Sequence, residues 1–199
     1  VLGNIFGPNK ERGVYKSTDG GKTWNKIHFI SNKTGARDVE INPSNPREIL
    51  ASFWTVQRKP WTLVDGGNEG GIFLSKNEGK TWKKLKNGLP EGLIGKIEVE
   101  YSPVNSNRIW AMITAKEEDE GGLYRSDNGG VSWKRINRDH KLRQRGWYYS
   151  HITADPKNEN IIYASNTGFY KSIDGGITFD KRIRTPHGDN HGVWINPNN

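Results

Sequence analysis

The 199-residue chain has no cysteine, which removes disulfide frameworks, thiolate nucleophiles and zinc–cysteine sites and leaves oxygen and imidazole groups for any catalysis or metal binding. It has one methionine and only 32% hydrophobic residues. No apolar run is long enough to cross a bilayer, so membrane insertion is not expected. No amino-terminal block carries the charged-then-apolar pattern of a signal peptide, and no segment sustains a helical apolar period, which argues against a bundle. What is present is 24 glycines, 9 prolines and 11% aromatic residues, a composition suited to short strands joined by tight turns.

The formal charge of +8 invites a nucleic-acid reading, since basic surfaces gather phosphate backbones. The distribution argues against it. Lys16, Lys22, Lys26, Lys80, Lys83, Lys84, Lys86, Arg125, Lys134 and Arg135 flank a repeated turn instead of forming one patch, as charges that protect outer strands from edge-to-edge pairing do. No nucleic-acid partner is expected.

That turn occurs four times, as 17-STDGGKTW-24, 75-SKNEGKTW-82, 126-SDNGGVSW-133 and 172-SIDGGITF-179. Each follows a Gly and two apolar residues, and the leading glycines Gly13, Gly71, Gly122 and Gly168 are spaced by 58, 51 and 46 residues. A second unit interleaves with it: 39-VEINPSNPREILA-51, 99-VEYSPVNSNRIWA-111, 152-ITADPKNENIIYA-164 and 193-VWINPNN-199. Apolar residues four and two positions before each proline share one face of a strand, and a second strand returns after the Pro-x-Asn turn. Two hairpins per repeat give four antiparallel strands, the signature of propeller blades. The expected fold is therefore all-β, a β-propeller fragment of four-stranded antiparallel blades: an outer half-blade over 1–37, blades over 38–95, 96–149 and 150–191, and the first strand of another over 192–199. Three whole blades fall below the roughly 4–8 of a closed ring, so the rest of a larger propeller chain, or another subunit, is expected as a partner.

Within the glycine-rich turns the Ser and the acid or amide hold the loop (Ser17 and Asp19, Ser75 and Asn77, Ser126 and Asn128, Ser172 and Asp174), as Asx turns do. Gly21, Gly79, Gly130 and Gly176 supply backbone freedom, and the rings of Trp24, Trp82, Trp133 and Phe179 are placed to pack between blades. Asn77 and Asn128 can keep a turn but cannot act as general acids, so Asp19 and Asp174 read as structural. An EF-hand reading fails because its twelve-residue ligand spacing and closing Glu are missing.

These motifs resemble the Asp boxes, or bacterial neuraminidase repeats, of sialidases, xyloglucan-cleaving glycosidases, sortilin-type receptors and photosystem assembly propellers. With the Pro-x-Asn hairpins the chain is most similar to the large sortilin-like, glycosyl-hydrolase-labelled propeller proteins of environmental bacteria. The resemblance implies a secreted or cell-surface bacterial protein. It marks a fold, whereas function lies in the site grafted on it.

If strands run outward from the axis, both kinds of repeated turn lie at one end and the remaining connections at the other. Those connections, 1–12, 54–70, 137–150 and 184–192, carry the unusual residues, as functional loops on rigid scaffolds do. Trp54, Arg58 and Trp61 fall in one, Arg143, Arg145, Trp147, Tyr148 and Tyr149 in another, and His187, Asp189 and His191 in a third. Rings with guanidinium groups suit sugar stacking or a peptide hot spot; packing of the loops onto the sheets is the competing reading. The His-x-Asp-x-His spacing would share a face if extended, but Gly188 and Gly192 interrupt it, and neither a metal nor any other cofactor is expected.

Two functions from different classes remain. One is a non-catalytic scaffold or binding module presenting the loop face to a protein or glycan, which is preferred because every repeated polar residue has a turn-forming explanation. The alternative is a sialidase- or xyloglucanase-like glycoside hydrolase, which needs two carboxylates about 5–10 Å apart. Asp65, Glu69 and Asp189 are its candidates, while 182-RIRTP-186 follows the fourth repeat where the sialidase Arg-Ile-Pro motif precedes the first. The acidic run 117-EEDE-120 reads as a solvated hairpin tip.

Overall fold

The computed structural model describes residues 1–179 and 181–198. Among the described residues it contains fifteen strands and one helical segment, a 3-10 turn over His140–Arg143. A two-stranded first sheet pairs β1 (Val14–Lys16) with β2 (Asn25–His28). The second runs β3 (Thr34–Ile41), β4 (Ile49–Lys59), β6 (Gly71–Ser75), β7 (Lys83–Lys84), with β5 (Thr62–Asp65) on the extended end of β4. The third runs β8 (Ile94–Tyr101), β9 (Ile109–Ala115), β10 (Gly122–Ser126), β11 (Lys134–Asn137). The fourth runs β12 (His151–Ala154), β13 (Ile162–Ser165), β14 (Phe169–Ser172), β15 (Lys181–Arg182). All pairs are antiparallel. The chain is an all-β succession of propeller blades.

Both repeated turns lie at one end of each blade. Glu78 N donates to Arg47 O, Gly129 N to Asn107 O and Gly175 N to Asn160 O, so each of the last three glycine-rich turns is bonded to the Pro-x-Asn turn of its own sheet. Inside the turns, Asp19, Asn77, Asn128 and Asp174 play one part: Oδ1 accepts from the backbone N–H four residues on, at 2.8–2.9 Å. The Ser hydroxyl caps the glycine N–H at 2.8–2.9 Å. Acid and amide hold the turn alike through Oδ1; the second oxygen of Asp19 and Asp174 accepts from the Thr23 and Thr178 hydroxyls, where Nδ2 of Asn77 and Asn128 donates to Thr81 and Ser132, because a hydroxyl can take either part. Hydrogen bonds from Thr23 and Ser17 hold the Asp19 carboxyl at about 2, fully ionised at neutral pH.

Three apolar seams join the sheets. Phe53, Val14 and Ala36 close the first to the second; Leu50, Ile72, Ile97, Val99 and Trp133 join second to third; Trp110, Met112, Leu123, Ile152 and Phe179 join third to fourth. Each turn ring thus packs on the preceding sheet: Trp133 is 6% and Phe179 2% exposed, and Trp82 stacks on His28 of the first sheet at 4.9 Å. Trp24 departs from the expectation of a packed ring. It is 60% exposed, because among the described residues no sheet lies on that side of β1 and β2. The same side exposes Val39 and Ile41, whose counterparts Val99, Tyr101, Ile152 and Ala154 are buried.

Two further expectations are corrected. Residues 54–70 are not an open loop: β4 continues to Lys59 and returns as β5, since Val56, Arg58 and Leu63 keep strand pairing beyond the blade. Residues 192–198 form no strand and join no sheet, having no adjacent strand edge to pair with; Asn199, which ends the fourth Pro-x-Asn, lies outside the described residues.

Candidate functional site

The end opposite the repeated turns is assembled from connections tied to the blades and to one another. Arg12, wholly buried, donates to Lys33 O and Val56 O at 2.6 and 2.9 Å, fixing the 1–12 segment on β4. Beyond β11, Asp139 caps the 3-10 turn by accepting from Lys141 N at 3.0 Å, and Leu142 anchors it in the third seam. Asn166 Nδ2 donates to Lys141 O, while Asn190 N donates to Asn166 O, so the 137–150 and 184–192 segments meet over the fourth sheet.

A tight turn then sorts the rings. The N–H groups of Tyr148 and Tyr149 both reach Arg145 O, which turns Trp147 and Tyr148 outward, 44% and 56% exposed, and Tyr149 inward, 2% exposed. The outer two rings lie 5.6 Å apart, tilted by 33°. Tyr149 stacks on His191 at 4.1 Å and its hydroxyl donates to Asp189 Oδ1, while Arg145 Nη1 lies 3.9 Å from Asp189 Oδ2. Asp189 holds this position at φ 60°, a conformation costly for a non-glycine residue. The result is an aromatic platform edged by a guanidinium and a carboxylate. It can stack on a flat ligand and offer both a donor and an acceptor beside it.

Of the residues singled out from sequence, Arg145, Trp147, Tyr148, Tyr149, Asp189 and His191 come together here. His187 turns away, its Nδ1 against Gly188 O. Among the described residues no group of three or more His, Asp or Glu side chains is arranged to hold a metal ion.

Three residues expected on the face serve the scaffold. Arg143 is 5% exposed and pairs with Glu118 at 2.8 Å, pinning the β9–β10 hairpin. Trp54 is 6% exposed because it belongs to β4 and faces the interior, donating Nε1–H to Asp65 Oδ1 at 2.8 Å. Tyr149 supports the platform from beneath. Arg58 and Trp61 are solvent-exposed at the β4–β5 hairpin, Trp61 by 79%, and Trp61 pairs with no ring among the described residues. Of the other carboxylates, Glu69 is engaged by the hydroxyls of Ser31 and Thr34, which lower its carboxyl. Asp65 is raised, chiefly by packing that strips water from it, against the Trp54 hydrogen bond and the charge of Lys96.

Sequence reading passed over a charged wall along the innermost strands. Glu98, 6% exposed, is paired with Arg37 at 2.7 Å and with Lys96, 2% exposed, at 2.8 Å, and has His151 at 3.5 Å. Burial works to raise Glu98, but the His151 hydrogen bond and the two cations hold it at about 2. Its neighbours shift the other way: burial, then the facing carboxylates, raises Asp38 to about 6 and Glu40 to about 7, and burial raises Glu100 to about 8. Asp38 and Glu100 accept the N–H of Val99 and Ala154 in the next blade, at 3.0 and 2.9 Å. These charges therefore stitch blades together. The signal was visible as acids at alternate positions of 38-DVE-40 and 98-EVE-100, on the face that the apolar alternation leaves over.

Successive four-stranded sheets, repeated Ser-x-Asp/Asn turns and connections gathered at the opposite end define a β-propeller of the sortilin type. The chain belongs to the Sortilin-Vps10 family, described as sortilin, neurotensin receptor 3, whose model matches residues 12–166. It is 27% identical over 179 residues to a xyloglucanase of Paenibacillus sp., covering 84% of this chain and 16% of that one. It is 29% identical over 137 residues to sortilin of Rattus norvegicus, covering 67% of this chain and 14% of that one. Among solved structures, the GH74 xyloglucanase from Xanthomonas campestris matches with a TM-score of 0.60 at 17% identity, covering 84% of this chain and 24% of that one. That likeness shows the fold. The chain spans less than a quarter of the length of these relatives. Among the described residues no helix is long and apolar enough to cross a membrane.

Proposed function

We propose that this propeller segment binds a polysaccharide along its loop face, with Trp147 and Tyr148 as the stacking platform and Arg145 and Asp189 as its polar edge. The observation that carries the reading is the pair of adjacent exposed rings held from beneath by buried Tyr149, which is hydrogen-bonded to Asp189 and stacked on His191. Solvent-exposed rings fixed in place suit the apolar faces of sugars. Xyloglucanases among the relatives make a β-glucan such as xyloglucan the first ligand to test. On this reading the module works where polysaccharide is met, secreted or at the cell surface, and binding does not require hydrolysis. Gel electrophoresis in the presence of soluble polysaccharides tests it: retardation by xyloglucan, lost in Trp147→Ala, is expected, and unretarded migration through every polysaccharide overturns it.

The second reading, a xyloglucanase-like hydrolase, is favoured by one observation, the raised carboxyl of Asp65 on the same face. A raised carboxyl suits a proton donor. Release of reducing sugar by the wild type, abolished in Asp65→Asn, would decide for it.

A further inference from the structure

Asp65 is more than a neighbour of the platform. It lines an open pocket of about 250 Å³ between the second and third blades, together with Leu93, Thr114, Ala115 and Lys116. The floor is built by close backbone approach. A Cβ on Gly95 would sit 2.4 Å from Thr114 Oγ1 and 3.2 Å from Asp65 Oδ1, so a side chain there would close the pocket. On the other side of Thr114, a Cβ on Gly146 would fall 2.2 Å from its Cγ2. Thr114 thus touches both the floor of the Asp65 pocket and the turn that carries Trp147 and Tyr148. The carboxylate itself is aimed: the buried Trp54 indole holds Oδ1 at 2.8 Å, and Oδ2 accepts no hydrogen bond from the described residues.

We propose that the Asp65 pocket is a second subsite for the same glycan, in which the carboxylate accepts hydroxyls of one sugar unit while the chain passes over Gly146 and Thr114 to the Trp147–Tyr148 platform. The inference rests on the polysaccharide reading and adds a second polar anchor, away from the Arg145 and Asp189 edge of the platform. Stacking on rings tolerates many sugars, whereas a fixed carboxylate beside a glycine-lined floor selects for hydroxyls in one place, because charged acceptors form the stronger hydrogen bonds. Lys116 stands at the rim as a donor for ring or glycosidic oxygens. Trp54 is a positioning residue. It touches no ligand and acts by holding Oδ1.

Isothermal titration calorimetry with xyloglucan oligosaccharides of two lengths tests the subsite. Asp65→Asn keeps an acceptor for the Trp54 indole and removes the charge. It is expected to weaken the longer oligosaccharide by roughly tenfold, the value of about one charge-assisted hydrogen bond, and to leave the shorter one unchanged. Trp147→Ala is expected to weaken both. Wild-type affinity for the longer ligand is expected to fall on acidification, at a pH above that of an ordinary aspartate, and the Asp65→Asn profile to be flat. Unchanged affinity for both lengths in Asp65→Asn, with loss in Trp147→Ala, overturns the subsite and leaves the platform standing. Loss in Asp65→Asn with none in Trp147→Ala overturns the platform and supports the pocket. Failure of the wild type to bind either length overturns both.

Discussion

Replacing Trp133 by alanine, beside the same change at Trp24, separates what the repeated turn needs from what the blade seam needs. Both residues follow the same glycine-rich turn, but Trp133 is 6% exposed between the second and third sheets and Trp24 is 60% exposed. Removing a buried aromatic side chain costs about 3–5 kcal/mol. Scaled by the fraction of the ring that is covered, Trp24→Ala should cost about 1–2 kcal/mol, much of it the loss of the Nε1–H bond to Gly21 O. At about 2–4 °C per kcal/mol for a chain of this length, the melting points should drop by roughly 12 °C and roughly 4 °C. Urea titration followed by far-UV circular dichroism gives the two free energies independently, and their difference should be about 2–3 kcal/mol. Equal losses in the two variants would refute the seam assignment and place the cost in the turn itself.

Asp19→Asn should be nearly silent in the same titration, since Asn77 and Asn128 make the same Oδ1 bonds, whereas Glu98→Ala should cost about 3–5 kcal/mol by stranding the buried Lys96 ammonium. Asp38, Glu40 and Glu100 hold protons in the folded state that the unfolded chain has released, so their contribution is present in mild acid and is lost as pH rises through about 6, 7 and 8. Melting temperature should therefore fall between about pH 5 and pH 9, with Glu40→Gln and Glu100→Gln flattening the slope; a melting point rising over that range contradicts it. Glu78 occupies, at φ 62°, the turn position that Gly20, Gly129 and Gly175 fill elsewhere, and Glu78→Gly should stabilise by about 1 kcal/mol in a thermal melt.

The blade architecture was legible in the sequence because each element repeats. A turn seen as Asp in two copies and Asn in two can only be structural, and apolar residues two and four positions before each proline marked every innermost strand. Trp24 was misread because repetition reports what a residue does in a complete seam, and its own seam has one side. Trp54 and Arg143 were misread because a ring or guanidinium in a long connection carries no sign of whether that connection is strand or loop; β4 runs past the blade, and Arg143 turns back to Glu118. The platform was legible only as composition. That Tyr148 faces out and Tyr149 in follows from hydrogen bonds to Arg145 O, which no spacing announces. The charged wall left a trace in alternating acids, but its partners Arg37, Lys96 and His151 lie on three different strands.

Retardation of the wild-type chain by xyloglucan in native gels, compared with Trp147→Ala/Tyr148→Ala and with Trp24→Ala as an exposed-ring control, tests the central claim most directly. The account predicts that wild type and Trp24→Ala are retarded alike and that the double variant, melting at the wild-type temperature, migrates freely. Retardation of all three, or of none, would contradict a glycan-binding platform on the loop face.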